Sequence, residues 1–274
     1  MRIERRPGFP ARGQPGLYWL GQAGFWVETG AHRLLIDPYL SDSLAMKYAG
    51  KPNDHKRMMR PPVTVEALPR PDLVLITHAH TDHMDPMTLT PLAQRHPDLP
   101  FVVPAARETA ARERIGAKAR LILTDAGEIL RPLSGLQVTV FPAAHETLDR
   151  DAQGRHPFLG YGISAGALRL YHSGDSIPFA GLPELLSAFA PQIALLPVNG
   201  RDARRLDAGI PGNFTLQEAM TLAAGLPYLI PHHFDMFAFN TLDPALIDAA
   251  AAGQMAGQTC VFRPHPGETL AFFP

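Results

Sequence analysis

Three histidines and one aspartate crowd a single short run, His78-Ala79-His80-Thr81-Asp82-His83. With 12 histidines in 274 residues, an average six-residue window holds about 0.26 of one, so three in one window is a concentration that calls for a chemical explanation. The run follows LVLIT at 73–77, which reads as a buried strand, and it precedes Asp85-Pro86, an N-cap and first-turn pair for a helix over about 86–95. The four side chains therefore sit on a turn at the carboxyl end of a strand, where α/β proteins favour ligands. In an extended or turning backbone, residues i and i+2 project alike, while i+4 and i+5 come round the turn. His78 with His80, and Asp82 with His83, then make adjacent ligand pairs. Imidazole and carboxylate together suit Zn²⁺, Mn²⁺ or Fe²⁺, and the missing thiolate argues against purely structural zinc. The competing reading is a His-rich surface turn.

The elements that must carry this turn are legible as apolar runs punctuated by turn formers. Proline is unusually frequent, 28 of 274 residues, and is scattered along the chain with 23 glycines. Short elements joined by many turns are the consequence. After a loose arm over residues 1–16, a β-meander is expected about the Gly21–Gly24 turn and through HRLLIDPYL. Residues 41–71 read as a long surface loop. Strands and helices then alternate, with a further helix near 107–115, before a second β-rich stretch from LRPLSGLQVTVFPAA to LRLYHSGDS. Helices over PELLSAF, NFTLQEAMTLAAGL and LDPALIDAAAAG flank the buried strands IALLPV and PYLIPH, with Asn213 or Thr215 capping the second helix. The last residues, TCVFRPHPGETLAFF, look like a closing hairpin with Cys260 packed inside. Two successive β-then-α halves without repeat or linker predict one domain over 17–274, a four-layer αββα sandwich of α+β class.

Composition removes several functions. Lys and Arg number 25 against 26 Asp and Glu, a net charge of −1, so the bulk attraction for polyanions that drives nonspecific nucleic-acid binding is missing. No apolar run approaches the roughly 20 residues that span a bilayer, and the first 16 residues lack the apolar core of a secretion signal. The single cysteine excludes an intramolecular disulfide framework and any multi-cysteine metal site, and it fits a cytoplasmic protein.

The run His78-Ala79-His80-Thr81-Asp82-His83 resembles the HxHxDH signature of the metallo-β-lactamase-fold hydrolases. Three further motifs match that family in order, each after an apolar strand: His145 in VFPAAHE, Asp175 in LYHSGDS and His233 in LIPHHFD. The resemblance implies two divalent metal ions per chain (zinc or manganese, with iron compatible). His78, His80 and His145 would hold one, Asp82, His83 and His233 the other, and Asp175 would bridge them. It also implies a hydroxide generated at neutral pH that attacks a carbonyl carbon or phosphorus, with Asp82 and Asp175 as the catalytic carboxylates. The segments WLGQAGFWVE, THAHTDHMD, YHSGDS and IPHHFDMF are similar to the L-ascorbate-6-phosphate lactonase-like branch. That branch's authentic lactonases carry an aspartate where His145 stands and have a longer chain, so the branch is implied while the substrate is left open.

Around this set, Asp37 in LLIDPYL is expected as an acceptor for a ligand imidazole N–H, and His172 as an orienting neighbour of Asp175. Asn199, Arg201 and Asp202 in PVNGRD are expected to contact substrate. Between Lys47 and Arg60 the chain carries Lys47, Lys51, Lys56, Arg57 and Arg60 against Asp54 alone, a local charge of +4, and Arg57 and Arg60 are expected to receive an anionic group. The leading function is thus a metal-dependent hydrolase of a small anionic lactone or phosphate ester, with homo-oligomerisation compatible. The alternatives are a phosphodiesterase of phospholipase-D-like or nuclease-like type, and a catalytically silent metal-binding regulatory protein.

Overall fold

A computed structural model describes residues 1–255 and 257–274. Its contacts divide the chain into two units, Met1–Thr124 with Pro264–Pro274, and Asp125–Arg263. The first contains β1 (Arg2–Pro7), β2 (Gly16–Gly21), β3 (Gly24–Glu28), β4 (Arg33–Ile36), α1 (Ser43–Lys47), β5 (Leu73–Leu75), α2 (Pro86–Arg95), β6 (Pro100–Pro104), α3 (Glu108–Arg114) and β7 (Arg120–Thr124). The second contains β8 (Ile129–Leu133), β9 (Leu136–Pro142), β10 (Leu159–Ala165), β11 (Leu168–His172), α4 (Leu182–Phe189), β12 (Ile193–Pro197), α5 (Ala203–Asp207), α6 (Leu216–Leu222), β13 (Tyr228–His232), α7 (Pro244–Ala252) and β14 (Cys260–Val261). The chain then returns to the first unit as β15 (Glu268–Phe273).

In the first unit the strand order is β1-β15-β2-β3-β4-β5-β6-β7. The meander β2–β4 is antiparallel, whereas β4 to β7 run parallel because helices and loops cross over between them. The interior strands are apolar on both faces, and Tyr18, Trp26, Leu35, Val74 and Phe101 join Leu89 and Leu92 of α2 and Ala111 of α3 in one core cluster. The second unit orders its strands β14-β13-β12-β11-β10-β9-β8, antiparallel from β8 to β11 and parallel from β11 to β14. Each sheet is mixed, and the motif-bearing turns follow strand ends in both. Among the described residues no helix is long and apolar enough to cross a membrane.

Two expectations are corrected. The arm expected over residues 1–16 contains β1, paired antiparallel with β15 from Arg2 opposite Phe273 to Pro7 opposite Glu268. It is an edge strand in which only Ile3 is buried, so its sequence lacks the alternation that marks a strand. The closing hairpin does not form: β14 extends the second sheet beside β13 and β15 enters the first between β1 and β2. Cys260 is exposed rather than packed inside.

Candidate metal centre

Within the first unit the motif is held from three sides. Asp85 caps α2, its side chain accepting from Met87 N at 3.2 Å, which fixes where the turn ends and the helix begins. The same carboxylate accepts from Ser41 Oγ at 2.7 Å, Ser43 Oγ at 2.8 Å and Thr88 Oγ1 at 2.5 Å. Arg114, at the end of α3, donates to the carbonyl of Ala79, between the first two motif histidines. The rings of His78 and His83 stand 4.0 Å apart, and those of His78 and His80 4.6 Å apart.

Behind these rings lies Asp37, fully buried, whose Oδ1 accepts from Thr77 N at 2.8 Å. Its Oδ2 accepts from Thr77 Oγ1 at 2.5 Å and lies 2.7 Å from His83 Nδ1. Thr77 Oγ1 is 3.0 Å from His78 Nδ1. Two ring nitrogens are thereby committed to the protein interior, which turns the opposite Nε2 atoms to the motif's other side, the arrangement ligating histidines adopt. Asp82 Oδ2 accepts from Gln22 Nε2 at 2.7 Å and stands 3.9 Å from His83 Nε2.

The second unit builds a matching cluster on Asp175, which is 3% exposed. Its Oδ2 lies 3.1 Å from His233 Nε2 and 3.7 Å from His145 Nε2. One carboxylate oxygen thus faces the imidazole nitrogens of both histidines. His145 Nδ1 is 3.0 Å from Gly212 O, so this ring too is oriented through Nδ1. His233 follows β13 with φ 63°, a left-handed turn that frees its ring from the strand's alternation. His232, still in β13, stacks instead on His172 with centroids 4.7 Å apart. His172 Nδ1 accepts from Gly174 N at 3.0 Å, shaping the turn that presents Asp175.

The donor set suits the expected metals: imidazoles fixed through Nδ1, buried carboxylates and no thiolate among these clusters. Four non-glycine residues here adopt positive φ: Gln22 at 51°, Asp37 at 41°, Glu146 at 75° and His233 at 63°. Each such conformation costs roughly 1–3 kcal/mol and persists only where its surroundings enforce it.

Most of the residues expected to contact substrate also make structural contacts. Arg57 donates through Nη1 to Tyr39 O at 3.0 Å and Ser41 O at 3.1 Å, and through Nε to Met59 O at 3.0 Å. Its guanidinium lies over the Tyr39 ring, and burial lowers its pKa while pushing the Tyr39 phenol up to about 12. It moors the basic loop to the segment after Asp37. Arg60 is exposed. Arg201 forms a two-pronged ion pair with Glu218, both contacts at 2.7 Å, and donates to Asn213 O at 3.1 Å. Asp202 caps α5, accepting from Arg205 N at 2.9 Å. Asn199 donates to Asn240 Oδ1 at 2.8 Å and accepts from Asn213 Nδ2 at 3.0 Å. Sequence reasoning passed over Gln22, Thr77, Glu146 and Gly212. Only Thr77, adjacent to the motif, carried a local signal.

Two mixed sheets with histidine- and aspartate-bearing turns at their strand ends define an α+β protein of the metallo-β-lactamase fold, with clusters capable of binding metal. The chain belongs to the β-lactamase superfamily domain family, whose model matches residues 32–234. It is 27% identical over 256 residues to a UPF0173 metal-dependent hydrolase of Pyrobaculum aerophilum, covering 92% of this chain and 97% of that one. Among solved structures it is similar to Igni18, a metallo hydrolase of Ignicoccus hospitalis, with TM-score 0.70, 22% identity and coverage of 95% and 99%. An isothiocyanate hydrolase from Delia radicum gut bacteria superposes with TM-score 0.73, 22% identity and coverage of 94% and 99%.

Proposed function

We propose that this chain is a metal-dependent hydrolase working with two divalent cations, zinc, manganese or iron. His78, His80 and His145 would hold one, Asp82, His83 and His233 the other, and Asp175 both. In this reading residues 17–274 act as one working domain. The observation that carries it is the engagement of Nδ1 in His78, His83 and His145, which selects Nε2 as the coordinating atom in each. Such a pair of cations supplies a lowered water pKa and a Lewis acid for a carbonyl or phosphoryl oxygen. The protein's part is to hold Asp82, steadied by Gln22, where it takes up the proton of the attacking water. Asp175 keeps the two histidine-bearing turns of its unit in register.

The substrate in this reading is a small anionic molecule with a lactone or phosphate ester, as in the lactonase-like branch that the motif segments resemble. The +4 stretch from Lys47 to Arg60 favours an anion, with Arg60 as the exposed charge and Arg57 as its mooring. Lone Cys260 fits action in a reducing cytoplasm.

Metal analysis of the purified full chain should find two ions per chain, and chelation should abolish turnover that Mn²⁺ or Zn²⁺ restores. Asp175→Ala should lose both ions together with activity. A side-by-side screen of lactones, phosphomonoesters and phosphodiesters tests the substrate class. Turnover confined to phosphodiesters would replace the lactonase-like reading, and full activity with one ion or none would end the dinuclear one.

A further inference from the structure

His145 is immediately followed by Glu146, held at φ 75°. Gly212 stands 66 residues further on and meets both: its N–H donates to Glu146 Oε1, while its carbonyl lies 3.0 Å from His145 Nδ1. One peptide residue thus answers the side chains of two consecutive residues, through opposite ends of its own backbone. The loop bearing Gly212 is itself tied down, since Gly200 N donates to Phe214 O at 3.0 Å and Asn213 N to Gly200 O at 3.2 Å. Arg201 reinforces the loop through Asn213 O and Glu218. A Cβ on Gly212 would collide with the Arg201 Cβ and crowd Glu146 Oε1, so only glycine lets this backbone approach.

We propose that Glu146 and Gly212 form a positioning clasp that fixes the His145 ring as an Nδ1–H tautomer with Nε2 directed at the metal. This rests on the reading of His145 as a ligand. An unstrained backbone at Glu146 would swing its carboxylate away, and Gly212 O would then have no fixed place opposite the imidazole. The clasp also gives the PVNGRD segment its role. Arg201 supports a ligand at one remove.

The test uses the full chain, metal-depleted and titrated with Zn²⁺ against a chromophoric chelator, with Glu146→Ala, Glu146→Gln, His145→Ala and the His145→Ala/Glu146→Ala double variant. Thermal melts establish that each is folded. Removing the direct partner of a ligating imidazole weakens metal binding by about 10–100-fold. Glu146 acts one step further out, through Gly212, so Glu146→Ala should weaken binding by up to about 10-fold. Glu146→Gln keeps an acceptor oxygen and should restore most of the affinity. The double variant should bind no more weakly than His145→Ala alone, because the clasp acts only through that ring. Nitrogen-15 spectra of the histidines supply a readout independent of metal: His145 should be Nδ1–H in the parent and a tautomer mixture in Glu146→Ala. Unchanged affinity in Glu146→Ala, or additive losses in the double variant, would overturn the clasp and leave the hydrolase reading standing. A parent that binds no Zn²⁺ would overturn the hydrolase reading, and the tautomer spectra would then decide the clasp alone.

Discussion

The candidate ligand residues announce themselves in sequence because a metal needs several donors close together, and a turn after a strand offers four potential donors within six positions. Their supports are hidden, because they arrive from far along the chain. Gln22 reaches Asp82 across 60 residues and Gly212 reaches His145 across 67, so neither pairing leaves a local pattern. PVNGRD is ambiguous for the opposite reason. Polar side chains after a buried strand look the same in sequence whether they face a substrate or brace a loop, and the Arg201–Glu218 pair adds the bracing contact that the sequence does not show. Asp37 could be read as an imidazole acceptor, but its fixing of Thr77 N and Oγ1 could not. Replacing Asp37 by alanine should weaken metal binding by about 10–100-fold in chelator competition. Asp37→Asn should lose less, since asparagine tolerates the left-handed backbone at φ 41° and keeps an acceptor.

Capped helices are the elements best placed from sequence: Asp85-Pro86 marked α2, and Thr215, one of the two caps expected, closes a full capping box with Glu218 at α6. Asp85 does more than cap, because it gathers Ser41, Ser43 and Thr88 and so fastens the long loop to the helix behind the motif. Asp85→Ala should therefore cost more than the ~1 kcal/mol of a lost cap, about 3 kcal/mol in denaturant unfolding once the hydroxyl partners are counted. Glu218 gives a pH prediction. Its hydrogen bond to Arg201 holds the carboxyl down to about 2, from an ordinary 4.5. A carboxyl lowered on folding adds stability that is present above 4.5 and is lost as pH falls towards 2. The difference in Tm between the parent and Glu218→Gln should accordingly level off above about pH 5 and shrink steadily as pH falls towards 2, where the folded-state carboxyl is half protonated. Sheet membership, by contrast, was not legible for β14 and β15, because two short apolar runs joined by a turn fit a hairpin and a sheet-to-sheet crossing equally well.

At the scale of the whole chain, the order of motifs was readable while the assignment of strands to sheets was not, since pairing partners are chosen by nonlocal contacts. The clearest case is β15, hydrogen-bonded between β1 and β2 although more than 240 residues separate it from either. Deleting 264–274 should strip β1 of its partner and expose an edge of β2. Hydrogen exchange should then quicken in β1 and β2 and leave β9–β11 of the other unit protected. The same placement sets a timetable for the nascent chain. As the polypeptide emerges, His78 to His83 appear well ahead of Glu268–Phe273, and the sheet that carries them lacks an inner strand until those residues have cleared the ribosome. The first histidine cluster is thus made long before its own sheet is complete. The sheet that frames the motif therefore closes only when β15 arrives, and slow synthesis of β15 delays that closure more than slow passage through the motif itself.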